Sequence, residues 1–240
     1  TEEFVEVDWI KRWAQYAPDS IAIDSVDQEV TLSYGELYKK VNAMAAFLQQ
    51  HHEVEAGDRV AVLAMNRYEY IVLFFALQKL RAILLPLNYR LAAPELEYQL
   101  QDATPVLLIY EQEFQTNVGK TSFDGKTVNF DQFIERLNSF KPAASVQYSG
   151  HFEDTCKILY TSGTTGRPKG AIITNKMLFW NSINTGLRLN LIQQDVILTF
   201  AIFPHRRLEC TYNADSSSWR ESCFIKKIRT RSGAGVMRTA

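Results

Sequence analysis

The stretch Thr161-Ser162-Gly163-Thr164-Thr165-Gly166-Arg167-Pro168-Lys169-Gly170 gathers four hydroxyl side chains, three glycines, one arginine and one lysine into ten residues. Glycines let backbone amides approach an anion closely, hydroxyls donate to phosphate oxygens, and a lysine adds a mobile positive charge. All three properties suit a polyphosphate. The stretch is not a Walker A loop: five residues beyond Gly163 stands Pro168, and Lys169 precedes Gly170 rather than Ser or Thr. Ser/Thr/Gly clusters also build ordinary turns. What separates this one is the whole string running directly out of an apolar strand, Lys157-Ile158-Leu159-Tyr160.

Such a loop needs a scaffold, and the preceding residues alternate between strand and helix patterns. Ile21 to Asp24 and Val30 to Leu32 read as short strands. Ser33 and Glu36 have capping-box spacing, and Leu37, Val41, Met44, Ala45 and Leu48 keep helical spacing to about Gln50. After a turn at Gly57-Asp58, Arg59 to Ala64 reads as a buried strand and Tyr68 to Leu80 as a helix with a broad apolar face. Ala82 to Leu87 is a further strand, Pro94-Glu95 opens a short helix, and Val106 to Tyr110 is again a pure apolar strand. Continuous apolar strands between helices predict an α/β fold with a mostly parallel sheet covered on both faces. Residues 112 to 150 are more polar and without clear period, which predicts a surface excursion with one short helix near Phe130 to Leu137. Beyond the loop, Ile172-Ile173 is an apolar pair, and Thr174-Asn175 reads as the N-cap of a helix through Met177-Leu178-Phe179-Trp180. Asp195 to Phe200 reads as the strand that follows.

Composition agrees with a globular protein: 240 residues, 46% hydrophobic, 22% charged, formal net charge -1. So small a net charge gives no electrostatic reason to expect a nucleic-acid or membrane-surface partner. Cys156, Cys210 and Cys223 form no CxxC pair and suit a reducing compartment. The start shows no signal-peptide pattern, and the longest apolar run, Ile71 to Leu77, is far short of a membrane span. The expectation is a cytoplasmic protein without a transmembrane segment. His51, His52, His151 and His205 show no metal-ligand spacing and are expected in surface or turn roles. Tyr68, Tyr70, Phe74 and Phe75 at helical spacing, and Cys156 beside a buried strand, are expected in the core.

Tyr160 to Gly170 resembles the signature phosphate loop of the adenylate-forming (AMP-binding) superfamily: acyl-CoA ligases, peptide-synthetase adenylation domains and luciferases. Leu32-Ser33-Tyr34-Gly35-Glu36-Leu37 resembles the family's "T-Y-x-E-L", and Gly57-Asp58-Arg59-Val60-Ala61 its "G-D-x-V-A". Ala82 through Pro86-Leu87-Asn88-Tyr89-Arg90-Leu91 resembles "G-A-x-x-x-P-L-N-x-R-L", with Arg81 where glycine is usual. Glu95-Leu96 and Asp102 fall at familiar spacings, and the likeness covers roughly residues 10 to 204. The "P-L-N-x-R-L" form leans toward fatty-acyl and aryl CoA ligases.

The resemblance implies part of a large adenylate-forming domain over residues 1–204, and a two-step reaction. A carboxylate attacks the α-phosphate of Mg2+-ATP to give an acyl-adenylate and pyrophosphate; a thiol, usually of coenzyme A, then takes the acyl group. By family position, Thr161, Ser162, Gly163, Thr164, Thr165 and Gly166 hold the β- and γ-phosphates, and Lys169 offsets charge on the departing pyrophosphate. The partner is a small carboxylic acid, in fatty-acid metabolism or as an aryl acid. The loop positions and neutralises without supplying a nucleophile. The family's catalytic lysine and its adenine- and ribose-binding segments lie beyond the end of this sequence, so the chain is expected to be inactive on its own. Two readings stay beside this one: a non-enzymatic truncated relic, and an adenylation domain that loads a carrier-protein thiol.

From His205 the sequence departs from the family, which continues "P-x-F-H-x-G-G". Read one base later, codons for His205 to Arg220 can give Thr-Gly-Gly-Leu-Asn-Val-Leu-Thr-Thr-Pro-Ile-Leu-His-Arg-Gly, the family's own continuation, and Trp219 followed by Arg220 forces the final glycine. Residues 205–240 are therefore expected to be a frameshifted, non-native tail. The other reading is a genuine polar tail, basic through Lys226, Lys227, Arg229 and Arg231.

Overall fold

A computed structural model describes residues 8–144, 146–147, 150–161, 167–192 and 195. Helix α1 (Trp9–Tyr16) begins where Asp8 accepts the Lys11 amide at 3.0 Å. It was not legible as an element in the sequence, although Trp9, Ile10, Trp13 and Tyr16 share one side of it. Strands β1 (Ile21–Ser25) and β2 (Val30–Ser33) form a separate antiparallel hairpin. The expected capping box is present. The Glu36 amide donates to the Ser33 hydroxyl at 3.2 Å and the Ser33 amide to the Glu36 carboxylate at 2.8 Å, opening α2 (Tyr34–His51). The five apolar positions with helical spacing, Leu37, Val41, Met44, Ala45 and Leu48, are all buried.

The main sheet has six strands in the order β6-β5-β3-β4-β7-β8. Strands β3 (Arg59–Leu63), β4 (Ile83–Pro86), β5 (Leu107–Tyr110), β6 (Lys126–Asn129) and β7 (Thr155–Thr161) run parallel, and β8 (Lys169–Thr174) pairs antiparallel with β7. The fold is α/β with a mostly parallel sheet flanked by helices, as the continuous apolar runs predict. Their physical reason is visible residue by residue. Val60, Val62, Leu84, Leu107 and Ile109 face a core shared with α2, α3 (Tyr68–Lys79) and α6 (Phe130–Ser139). Ala61, Leu63, Leu85 and Leu108 face a second core under α4 (Ala93–Ala103). A strand buried on both faces has no polar side to alternate with, and each fully buried Leu or Val contributes about 1.5–3 kcal/mol.

Residues 112 to 150 correct the sequence reading. They are not a bare surface excursion, because after a 3₁₀ turn (Gln112–Phe114) and the short α5 (Gln115–Val118) the chain adds β6 to the sheet. The helix expected near Phe130 to Leu137 is there, and Val128, Phe130 and Phe133 sit in the core. The pair Ile172-Ile173 belongs to a full strand, β8, and α7 (Asn175–Leu189) follows with Thr174 as its cap. The strand expected at Asp195 to Phe200 and the tail from residue 205 lie outside the described residues.

Of the histidines, His51 and His151 are exposed, as expected. His52 is the half-buried C-cap residue of α2, at a turn as expected, with its ring against Phe47 and Phe133 at centroid distances of 5.1 and 5.4 Å. His205 lies outside the described residues. Cys156 is a core residue as expected; burial pushes its thiol up to about 11, and its sulfur contacts the Ile173 carbonyl at 3.3 Å.

Candidate phosphate site

Five parallel strands share a carboxyl edge, and in open α/β sheets ligands bind outside that edge. Thr161 ends β7 there, and Lys169 begins β8 as its Cα partner across the antiparallel pair. The phosphate-loop candidate is thus the connection of a β-hairpin, and the Thr161–Lys169 pair sits at its mouth. Thr161 is half-buried and Lys169 is exposed. Ser162, Gly163, Thr164, Thr165 and Gly166 lie outside the described residues, and Arg167 and Pro168 bring the chain back to β8.

The next pair inward, Tyr160 and Gly170, explains why glycine stands there. A Cβ on Gly170 would lie 2.9 Å from the Ile158 side chain, which already takes that space, and 3.5 Å from the Tyr160 ring, an ordinary contact. The Tyr160 hydroxyl donates to a carboxylate oxygen of Asp102 on α4. Burial first, and then that carboxylate, hold the Tyr160 hydroxyl well above the ordinary tyrosine range, so it stays a donor. Tyr98, one helical turn before Asp102, donates from its hydroxyl to the Pro168 carbonyl at 3.2 Å. The Arg167 guanidinium lies 6.0 Å from the Tyr98 ring centroid. In the sequence Asp102 stands out only by its spacing, and Tyr98 not at all. A polar residue on a helix looks like a solvated face until the chain returns to it.

A second polar cluster clamps the same edge nearer its middle. Arg67, between β3 and α3, pairs with Glu69 at 3.1 Å, Glu111 at 3.3 Å and Asp131 at 3.0 Å, and stacks 4.3 Å from the Phe130 ring centroid. Burial opposes the Arg67 charge, but Glu69, Asp131 and Glu111 outweigh it and hold the guanidinium above its ordinary pKa. Burial raises the Glu111 carboxyl, whose oxygen also accepts the Met65 amide at 2.7 Å. With all its partners internal, this cluster fixes where β3, β5, α3 and α6 meet. No sequence motif announced it.

The match to known proteins is direct. The AMP-binding enzyme family model covers residues 10–206. The chain belongs to the AMP-binding enzyme family. The 2-succinylbenzoate–CoA ligase of Bacillus cereus is 36% identical over 187 residues, which are 78% of this chain and 36% of that protein. The chain therefore spans about a third of the length of the curated relatives it matches. Among solved structures, the O-succinylbenzoate coenzyme A synthetase of Bacillus subtilis, in complex with ATP and magnesium ion, aligns with a TM-score of 0.69 at 26% identity, over 78% of this chain and 48% of that one. The inhibitor-bound N-terminal domain of FACL13 from Mycobacterium tuberculosis aligns with a TM-score of 0.63 at 25% identity, over 80% and 49%. Among the described residues no helix is long and apolar enough to cross a membrane.

Proposed function

We propose that this chain carries the polyphosphate-holding part of an ATP-dependent carboxylate–coenzyme A ligase. Thr161, Ser162, Gly163, Thr164, Thr165 and Gly166 hold the β- and γ-phosphates, and Lys169 neutralises the departing pyrophosphate. The observation that carries the reading is the Thr161–Lys169 pair at the mouth of a hairpin on the carboxyl edge of the sheet. An exposed lysine and a threonine there suit an anion arriving from solvent. Among the described residues no group of three or more His, Cys, Asp or Glu could hold a metal. The magnesium in this reading enters on the nucleotide's own phosphates.

The chemistry is carboxylate attack on the α-phosphate to form an acyl-adenylate and pyrophosphate, followed by acyl transfer to the coenzyme A thiol. Family membership supports the reaction class, and the 2-succinylbenzoate ligases among the relatives favour an aryl-acid substrate over a fatty acid. An aryl acid and coenzyme A would be bound chiefly by parts of the fold that the relatives carry beyond the matched third. The test is carboxylate-dependent ATP–pyrophosphate exchange in the Bacillus cereus relative with its matching segment replaced by residues 10–192. Exchange with an aryl acid supports the reading. A folded chimaera with no exchange, beside an active parent, overturns it.

A further inference from the structure

Four contacts connect α4 to the two stems of the phosphate loop. Tyr160, on the stem entering the loop, donates to Asp102. Pro168, on the stem leaving it, accepts from Tyr98 at 3.2 Å, and Arg167 beside it lies 6.0 Å from the Tyr98 ring centroid. Tyr98 and Tyr160 also meet edge to face, their centroids 6.5 Å apart. We propose that Tyr98 and Asp102 form a latch by which α4 sets the spacing of the loop's stems, making them positioning residues for the bound polyphosphate. The proposal rests on the polyphosphate reading of the loop.

Asp102 cannot itself be a ligand for phosphate, because a carboxylate repels an anion. Its use near such a loop is indirect: it holds Tyr160, whose ring stands beside Gly170, 3.5 Å from where a Cβ would lie. Gly170, with no Cβ to meet Ile158, lets the β8 backbone, with Lys169 next to it, lie close against β7. Tyr98 fixes the other stem through a main-chain carbonyl, a contact independent of which residue occupies position 168. A loop whose stems are already spaced gives up less freedom when the anion binds. If α4 merely packed against the sheet, Leu96, Leu100 and Ala103, its buried residues in the second core, would suffice. Neither Tyr98 nor Asp102 is buried with them.

The test uses the full chain with three variants, Asp102→Ala, Asp102→Asn and Tyr98→Phe. Calorimetry measures affinity for Mg2+-ATP, and amide hydrogen exchange is followed at residues 160, 161, 169 and 170. Losing one hydrogen bond should weaken Mg2+-ATP about three- to tenfold in Asp102→Ala and in Tyr98→Phe. Asp102→Asn keeps an acceptor for Tyr160 and removes the repelling charge, so it should bind as well as wild type or better. A purely structural role predicts no such rescue of binding. Exchange at the four amides should quicken in Asp102→Ala while β3 and β5 stay protected. Unchanged exchange and affinity in Asp102→Ala overturn the latch. If the wild-type chain binds no Mg2+-ATP while exchange quickens in Asp102→Ala, the polyphosphate reading fails and α4 only holds the hairpin together.

Discussion

Arg81 grips Asp154 with two parallel hydrogen bonds, Nε to one carboxylate oxygen at 3.0 Å and Nη2 to the other at 2.9 Å. Arg81 also has φ +59, a left-handed conformation that favours glycine, directly after the end of α3. The family pattern has glycine at this position, and the fork to Asp154 offsets the conformational cost of the arginine. Asp154 accepts the His151 amide at 2.7 Å as well, so the pair ties the α3–β4 turn to the approach of β7.

Arg81→Ala keeps the strained backbone and loses the fork, so it should destabilise by about 1 kcal/mol. Arg81→Gly loses the fork but relieves the strain, recovering up to about 1 kcal/mol of that loss. Urea midpoints should therefore run in the order wild type, Arg81→Gly, Arg81→Ala. An alanine variant as stable as the glycine variant would mean that the φ of Arg81 costs nothing.

His52 makes folding sensitive to mild acid. Burial first, then repulsion from His51, Lys126 and Arg136, lowers its pKa to about 4 from the usual 6.5. Its Nε2 is buried without a hydrogen-bond partner. The folded protein thus prefers the neutral ring, and the unfolded chain takes up the proton first as pH falls. Stability from this source is full above pH 6.5 and declines as pH drops toward 4. His52→Leu should lessen the loss of denaturant midpoint between pH 7.5 and pH 4.5. An equal loss in variant and wild type would remove His52 as a cause.

Burial makes stability depend on the charge of Lys157. It is 1% exposed, in β7 between Leu84 of β4 and Ile173 of β8, and burial lowers its pKa to about 8. Protonation in the folded state is penalised below its unfolded pKa, so this lysine destabilises at neutral pH and less so as pH rises through 8 to 10. The stability of Lys157→Met relative to wild type should therefore fall from pH 7 to pH 10, as the penalty on the wild-type lysine fades. Thermal melts at the two pH values check it; the same difference at both would remove Lys157 as a cause of pH dependence.

The sequence disclosed the fold where burial left a one-dimensional trace. Val60-Ala61-Val62-Leu63 is legible because both of its faces are covered, and α2 because Ser33 and Glu36 cap it in the local chain. Strand β6, Lys126-Thr127-Val128-Asn129, has one apolar residue and lies at the edge of the sheet, so no period marks it. The phosphate loop was legible because its chemistry is contiguous. Its supports were not: Asp102 and Tyr160 are 58 residues apart, and Arg67 and Asp131 are 64. Such pairs are set by topology, and composition holds no record of them.

The central claim is that the hairpin mouth at Thr161 and Lys169 receives a nucleotide's phosphates, and calorimetry of the purified chain with Mg2+-ATP tests it most directly. The account predicts saturable binding that pyrophosphate competes away. In Lys169→Ala the affinity should fall about tenfold to a hundredfold, the value of one charge-assisted hydrogen bond, with an unchanged circular-dichroism melt. A well-folded wild-type chain that binds neither Mg2+-ATP nor pyrophosphate, or a Lys169→Ala variant that binds them as tightly as wild type, would contradict it.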